Sequence, residues 1–331
     1  MCEDIMNHIL LASTEPATRL WRVYSSIRKK YTVSVLDPIL KVRQTKRFGK
    51  VTSAALRWPP YSMQILLSKS NILHFFDSPN FVAIPVIYKK YDFVFDYRAF
   101  FSETLNVDFR SLANAAIWVE GKLVKRADVI LTVNDILAER IRNRYRRKAY
   151  VVPNYPLKSF LPKRSKWELR GDVTKPVVLF VGSFNNLYDF NNLLRCARKM
   201  NKCEFWLIGD GPLRGWVQQH ASSNVKFFGY VSHETIADYV NACDVGIVPI
   251  KSIYKTPISN DQDLLKVGEL AALQKPIVAS GVANSSQYLL VKPDELAGGV
   301  EKALSGNVST PVPHYWNDHS EKVLFEAYDR L

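Results

Sequence analysis

A lysine and a glutamate three residues apart, Lys266 and Glu269, carry the clearest chemistry in this sequence. They follow a polar stretch in which Asn260, Asp261 and Asp263 are candidate N-caps for a helix. Residues three apart on one helix lie on neighbouring faces, and the helix amino terminus adds unpaired N–H groups. An ammonium group and N–H groups suit a diphosphate, whereas a carboxylate suits the two hydroxyls of a ribose. The sequence therefore predicts a nucleotide-sugar site at this helix.

The elements that must position this pair are short apolar runs alternating with segments of helical spacing. Four runs stand at residues 205–208, 225–228, 245–249 and 276–279. This rhythm is typical of repeated β-α units and a parallel sheet. In open α/β sheets ligands bind at the carboxyl ends of the strands, so the loops that follow these runs are the predicted binding region.

Length and composition predict a two-domain globular protein. The chain has 331 residues, of which 47% are apolar and 23% are charged, enough for two domains of about 150 residues each. We find no signal peptide and no membrane span in the sequence, and the four cysteines show neither metal-ligand spacing nor a disulfide framework. We therefore expect a cytoplasmic protein without a bound metal.

The net positive charge of the chain lies almost entirely in its first half. Residues 1–150 hold 25 lysines and arginines against 13 acidic residues, whereas residues 151–331 hold 20 against 18. Such asymmetry indicates an anionic partner, with simple solubility as an equal alternative. A basic run at 41–50 beside the apolar, aromatic segment 56–67 is typical of a peripheral contact with an anionic membrane. A loop followed by an ordinary core helix is the alternative that we favour.

Three sequence blocks, in this order and spacing, resemble the GT-B glycosyltransferases of the large retaining GT4 family. They are LIGDGP at 207–212, NVKFFGYVSHETIADYVNACDVGIVP at 224–249 and LLKVGELAALQKPIVAS at 264–280. The resemblance implies an α/β protein of the GT-B class, with two Rossmann-like β/α/β domains facing across a cleft. The acceptor-side domain would span residues 1–153, with the last helix, 318–331, packing back on it. The donor-binding domain would span residues 154–317.

The resemblance also implies an activity: transfer of a sugar from a nucleotide sugar, such as a UDP- or GDP-sugar, to an acceptor that is a glycan, a lipid-linked molecule or a protein. The anomeric configuration would be retained without a metal, a further cofactor or a protein nucleophile. Lys266 would neutralise the leaving diphosphate, and Asp261, eight residues before Glu269, would face the donor sugar. Arg98, after a predicted strand of the first domain, is a candidate acceptor-side catalytic residue, and Glu103 is a second group that the cleft could use.

The donor-binding residues implied by the resemblance lie on the loops after the strands. Glu269 would hold the ribose, Tyr230 and Val231 would border the base, and Gly182 and Gly211 would let the backbone approach the ligand. Ser183 and Leu265 complete this predicted set. The chain departs from the family at Ser183 and Tyr188, where an Arg and a Lys are usual, and its first loop, 13–17, has no glycine. Arg19 could supply charge near that loop, although we favour the interpretation that Arg19 lies on a solvated helix face.

Several alternatives stay open. The absence of the usual Arg and Lys at Ser183 and Tyr188 is compatible with a catalytically inactive GT-B scaffold or a GT-B epimerase. The basic first half would instead suit a nucleic-acid-binding protein. A dinucleotide oxidoreductase is disfavoured because no acidic residue ends the strand after Gly209-x-Gly211. Lys266 and Glu269 could instead form a surface ion pair, and Tyr230 could be a core aromatic. Asp210 is expected to stabilise its own turn, and His74 to be a strand histidine that is satisfied internally.

Overall fold

The protein divides into two compact units in the computed structural model. The amino-terminal unit comprises Met1–Val152 and Ser320–Leu331, and the carboxyl-terminal unit comprises Pro153–His319. The structure describes residues 8–13, 18–36, 59, 61–76, 80–88, 91–98, 110–251 and 257–331. The predicted basic run 41–50, the first residues of segment 56–67 and Glu103 lie outside the described residues.

The amino-terminal unit is built on a six-stranded parallel sheet with strand order β2-β1-β3-β4-β5-β6. Its strands are β1 (His8–Ala12), β2 (Thr32–Leu36), β3 (Ile72–Phe76), β4 (Asp92–Tyr97), β5 (Val129–Thr132) and β6 (Tyr150–Val151). The side chains of β3 and β5 are buried along their whole length, as expected for central strands covered on both faces. The order makes β1 and β3 neighbours, so the chain reverses its direction of travel across the sheet between them.

Helices cover this sheet. They span Thr18–Ile27, Arg110–Arg126, Asp135–Tyr145 and Ser320–Tyr328, and residues 61–67 are also helical. The segment between β3 and β4 contains a 3₁₀ helix, Asn80–Ile87. It contains Pro85, which cannot donate a backbone hydrogen bond and so disfavours a regular α-helix there.

A buried polar cluster joins four elements of the amino-terminal unit. Nε of Arg19 donates to Oδ2 of Asp96 at 2.7 Å, and Nη1 of Arg19 donates to the carbonyl of Val152 at 2.7 Å. Nδ1 of His74 lies 2.7 Å from the hydroxyl of Tyr328, and Nε2 lies 3.5 Å from Oδ2 of Asp96, so this strand histidine has internal neighbours on both ring nitrogens. The prediction that Arg19 lies on a solvated helix face is wrong, because Arg19 and Asp96 are both buried and neutralise each other.

The carboxyl-terminal unit is built on a second six-stranded parallel sheet, with order β12-β11-β10-β7-β8-β9. Its strands are β7 (Val177–Val181), β8 (Glu204–Ile208), β9 (Val225–Gly229), β10 (Val245–Pro249), β11 (Ile277–Ser280) and β12 (Leu289–Leu290). The predicted apolar runs are therefore strands. Because β7 pairs with both β8 and β10, the chain reverses direction between β7 and β10, and such a point is where open α/β sheets bind ligands.

Helices accompany this sheet, and one of them carries Leu265, Lys266 and Glu269. They span Lys166–Arg170, Phe190–Lys199, Arg214–His220, His233–Ala242, Leu265–Ala272 and Leu296–Leu304. The His233–Ala242 helix connects β9 to β10, and the Leu265–Ala272 helix connects β10 to β11. Within the described ranges, no helix is long and apolar enough to cross a membrane.

Candidate functional site

A pocket of about 440 Å³ lies at the carboxyl ends of β7 and β8 and beside the turn after β9. Its lining comes from three loops, each placed by the end of one strand: Val181, Gly182, Ser183, Ile208, Gly209, Asp210, Tyr230, Val231, His233 and Ile236. Aliphatic side chains supply its walls, and the polar groups are few. A pocket of this size and lining suits a small organic ligand.

Two backbone turns that contribute to this pocket are in close contact. Gly209 has φ +133°, and a Cβ at this position would overlap the carbonyl oxygen of Gly182. Gly211 has φ +156°, and a Cβ there would lie 2.6 Å from the carbonyl oxygen of Phe184. Glycine is therefore required at both positions by the packing of the protein itself. Gly182 faces the ring of Tyr188, which would lie 3.0 Å from an added Cβ.

Asp210 holds its own turn, as the sequence predicts. Its Oδ1 accepts from the amide of Gly211 at 2.7 Å, and its Oδ2 accepts from Nη1 of Arg214 at 2.9 Å. The amide of Phe184 donates to the carbonyl of Asp210 at 2.9 Å, which ties the turn after β7 to the turn after β8. The hydrogen bond from Gly211, together with Arg214, lowers the pKa of Asp210.

The helix after β10 begins later than the predicted caps allow. Its first residue is Leu265 and its N-cap is Leu264, with no side-chain capping bond. Asn260 and Asp263 bond to each other instead, since the amide of Asn260 donates to Oδ1 of Asp263 at 2.7 Å. The prediction that Asn260, Asp261 or Asp263 caps this helix is therefore wrong: the side chains of Asn260 and Asp263 accept hydrogen bonds within a separate turn.

Lys266 lies in the first turn of this helix, and its ammonium contacts the hydroxyl of Tyr188. Nζ lies 4.2 Å from the centroid of the Tyr188 ring. Tyr188 stands 78 residues earlier in the chain, in the loop after β7. The contact thus connects the loop after β7 to the helix after β10, at the point where the chain reverses direction across the sheet.

Glu269 lies one turn further along the same helix and is 4% exposed. Its Oε1 lies 2.7 Å from Nε2 of His233, the first residue of the helix after β9. Because Glu269 is buried and its partner is His233 rather than Lys266, the surface ion pair considered from the sequence is excluded. His233 also lines the 440 Å³ pocket, so it connects Glu269 to that pocket.

Comparison with known proteins identifies the architecture. The sucrose-phosphate synthase of Thermosynechococcus elongatus superposes with a TM-score of 0.71 at 16% identity, over 97% of this chain and 95% of that chain. Anabaena HepE gives a TM-score of 0.66 at 12% identity, over 97% and 95%. The lipopolysaccharide outer core galactosyltransferase WaaB gives 0.56 at 14% identity, over 97% and 96%. The fold is GT-B.

A family match supports the same conclusion for the carboxyl-terminal unit. Residues 175–305 match the family described as "Glycosyl transferases group 1". The three sequence blocks predict a resemblance to group 1 glycosyltransferases, and this prediction is confirmed for residues 175–305, which contain all three blocks. No curated protein matches the chain.

The other predicted donor-binding residues lie around the pocket and the helix start of this GT-B unit. Tyr230 is 82% exposed at the pocket, so it is not a core aromatic. Val231 and Ser183 line the same pocket, and the Ser183 hydroxyl faces the carbonyl of Asp210 at 3.4 Å. The amide of Leu265 donates to the carbonyl of Asp263 at 3.1 Å. The structure therefore places each of these side chains on a loop or helix end.

Asp261 does not line the 440 Å³ pocket, and Arg98 belongs to the other unit. Asp261 is in the 261–263 turn, near Tyr288 and His314: burial raises the pKa of Tyr288, and the Asp261 carboxylate adds to that rise. His314 has a pKa lowered by burial and raised in part by Asp261. Arg98 belongs to the amino-terminal unit, directly after β4, where its charge helps to lower the pKa of buried His74. Within the described part of the chain, no group of three His, Cys, Asp or Glu side chains could hold a metal ion.

Sequence reasoning missed two residues of this site. His233 is bonded to Glu269, 36 residues away, and Tyr188 contacts Lys266 across 78 residues. Both residues follow the end of a predicted strand, and this position was the only signal that the sequence offered for them. Neither pairing follows from spacing along the chain.

Proposed function

We propose that this protein is a glycosyltransferase that moves a sugar from a nucleotide-sugar donor to an acceptor. The observation that carries the proposal is the position of Lys266 and Glu269 on one helix, beside the point where the chain reverses between β7 and β10. The 440 Å³ pocket lies at the carboxyl end of β7, which borders that point, and at the carboxyl end of β8. A cation, a buried carboxylate and an apolar pocket supply the three contacts that a nucleotide diphosphate needs.

In this proposal Lys266 meets the charge that develops on the leaving diphosphate. Departure of a nucleoside diphosphate places growing negative charge on the β-phosphate, and a prearranged ammonium group lowers the barrier to that step. Asp261 faces the transferred sugar, and Arg98 serves the acceptor. Transfer proceeds with retention and requires neither a metal nor a further cofactor.

Glu269 binds the two ribose hydroxyls. A carboxylate is an acceptor-only group, so it suits a diol that donates two hydrogen bonds. Nε2 of His233 lies 2.7 Å from Oε1 of Glu269, and this contact fixes the orientation in which the carboxylate meets the ribose. Tyr230 and Val231 then border the base in the 440 Å³ pocket.

Similar proteins support a nucleotide-sugar donor. Anabaena HepE is solved in complex with UDP and glucose, and also with UDP-glucose. The family match covers residues 175–305, which include the pocket, Lys266 and Glu269. We propose a UDP- or GDP-sugar as donor, and a glycan, lipid-linked molecule or protein as acceptor.

A thermal-shift screen tests the donor proposal. Purified full-length protein is incubated with UDP, GDP, ADP, CDP and dTDP, and with their glucose and galactose esters where these exist. At least one nucleoside diphosphate should raise the melting temperature, because a ligand that binds only the folded state stabilises it. No shift with any of them would overturn the proposal.

A catalytically inactive GT-B scaffold is the second candidate, favoured by Ser183 and Tyr188 where the family usually has cations. Such a scaffold binds the nucleotide but does not turn it over. Release of nucleoside diphosphate from the bound nucleotide sugar, with an acceptor mixture or water as acceptor, separates the two. Release above the rate of a Lys266→Ala variant supports the enzyme, and release equal to that variant supports the scaffold.

We further propose a cytoplasmic protein that touches anionic membranes through its basic amino-terminal unit. Beyond the charge of residues 1–150, the Arg110–Arg126 helix exposes Ile117, Trp118, Lys122 and Lys125. Apolar and aromatic side chains next to lysines are typical of a peripheral membrane contact. Co-sedimentation with phosphatidylserine vesicles should fall on replacing Lys122 and Lys125 by glutamine, with neutral phosphatidylcholine vesicles as control. Equal sedimentation of both proteins would contradict this contact.

A further inference from the structure

Tyr188 is held in one position by the packing around its ring. The residue is 5% exposed, and its ring meets that of Phe180 edge-on, with the centroids 5.0 Å apart. Its backbone pairs with Ile250, the residue after β10, in an isolated antiparallel bridge. Gly182 leaves room for the ring, since an added Cβ would lie 3.0 Å from both Cζ and Oη of Tyr188. The hydroxyl therefore has a fixed place at the carboxyl ends of β7 and β10.

The fixed hydroxyl meets a flexible side chain. Lys266 has four rotatable side-chain bonds, and an unrestrained lysine ammonium loses much rotamer entropy when it binds an anion. Its Nζ contacts Oη of Tyr188, and the ring centroid lies 4.2 Å from Nζ. An ammonium group has three donors, so the two not directed at Tyr188 stay available for anionic oxygens.

We propose that Tyr188 is a positioning residue for Lys266: its hydroxyl holds the ammonium where the diphosphate of the donor binds. This inference rests on the proposed function, because it assigns Lys266 to the diphosphate. Tyr188 acts through the lysine, so its removal should affect ligands with phosphates and leave a nucleoside without phosphates unaffected.

The test uses Tyr188→Phe, which removes the hydroxyl and keeps the ring and its packing. The probe is the nucleoside diphosphate that gives the largest thermal shift with the wild-type protein, compared with the matching nucleoside by calorimetry. Because the lysine side chain must then be ordered when the ligand binds, Tyr188→Phe should weaken binding of the diphosphate about fivefold and leave binding of the nucleoside unchanged.

The matched control is Asn191→Ala. Asn191 is exposed and lines, together with Tyr188, a separate pocket of about 170 Å³, but it does not belong to the proposed site. This variant should bind both probes like the wild type. Equal binding of the diphosphate by wild type and Tyr188→Phe would overturn the inference alone. Failure of every nucleoside diphosphate to bind the wild type would overturn the proposed function, and the inference with it.

A double-variant cycle adds a second criterion. If Tyr188 acts only through Lys266, the variant Tyr188→Phe/Lys266→Ala should bind the diphosphate as weakly as Lys266→Ala and no more weakly. Additive losses would show that the Tyr188 hydroxyl acts independently of the lysine and would overturn the positioning role. The melting temperature of each variant, measured without ligand, separates these effects from loss of folding.

Discussion

Nε2 of His233 lies 2.7 Å from Oε1 of Glu269, so the first residue of the helix after β9 contacts the carboxylate on the helix after β10. The glutamate side chain is 5% exposed, whereas the histidine side chain is 52% exposed. A half-exposed imidazole thus orients a carboxylate that is otherwise enclosed by the protein. One oxygen of Glu269 is directed at His233, and in the proposed function the carboxylate meets the ribose.

His233→Ala should weaken binding of both the nucleoside diphosphate and its nucleoside, about fivefold each, because the ribose contact loses its orienting partner. Glu234→Ala is the matched control, since Glu234 is the next residue and its ion pair with Lys163, at 3.6 Å, is exposed. Calorimetric titration of both ligands measures the effect. Wild-type affinity in His233→Ala would show that Glu269 needs no orienting partner.

Replacement of Gly209 by alanine should unfold or strongly destabilise the protein, by more than about 2 kcal/mol, because the new Cβ overlaps the carbonyl of Gly182. The control is Gly298→Ala, in the Leu296–Leu304 helix, where an added Cβ meets nothing within 4 Å. That change should stabilise the protein by about 0.5–1 kcal/mol. Urea unfolding of both variants gives the answer, and a stable Gly209→Ala would refute the close contact of the two turns.

The stability of the protein should fall below about pH 6.5 because of His74. Burial lowers the pKa of His74, so the folded protein keeps the imidazole neutral while the unfolded chain takes up a proton. Acidification therefore favours unfolding, starting near the ordinary histidine pKa. Between pH 7.5 and 5.5, the wild type should lose about 1 kcal/mol more stability than His74→Gln. Equal losses in both proteins would exclude this role for His74.

Asp96 adds a second loss at lower pH. Burial would raise the pKa of its carboxyl group, but Arg19 and His74 outweigh that effect and hold the pKa well below its ordinary range. The ion pair therefore stabilises the fold above the ordinary aspartate pKa, about 3.9, and the contribution is lost as the pH falls below it.

Chelation should leave turnover unchanged. In the proposed mechanism the cation at the diphosphate is the ammonium of Lys266, so excess EDTA should not slow the release of nucleoside diphosphate. The matched measurement repeats the assay with added Mg²⁺ and Mn²⁺. Loss of activity in EDTA, with recovery on adding either metal, would contradict the metal-independent mechanism.

The sequence predicted the strands well because each is a short apolar run whose burial depends mainly on local composition. All four runs of the 204–280 segment are strands, and Lys266 and Glu269 share a helix as expected. Predictions of polar contacts were weaker. Asn260 and Asp263 were expected to cap the helix, but each finds the other within three residues, and this local bond outcompetes capping.

Partners distant in the chain could not be predicted from spacing. Arg19 and Asp96 are 77 residues apart, and the sheet brings them together because β1 lies beside β3 and β3 beside β4. A single sequence does not state which of many acids an arginine meets. For the same reason Arg19 was expected in solvent, and the partners of Lys266 and Glu269 became visible only in the structure.

Calorimetric binding of a nucleoside diphosphate and its nucleoside to Glu269→Ala and Lys266→Ala tests the central claim most directly. The ribose role predicts that Glu269→Ala weakens both ligands about tenfold or more, because each loses a hydrogen bond to a charged group. The diphosphate role predicts that Lys266→Ala weakens only the diphosphate. If both variants bind both ligands as tightly as the wild type does, the helix after β10 is not the donor site and the account is wrong.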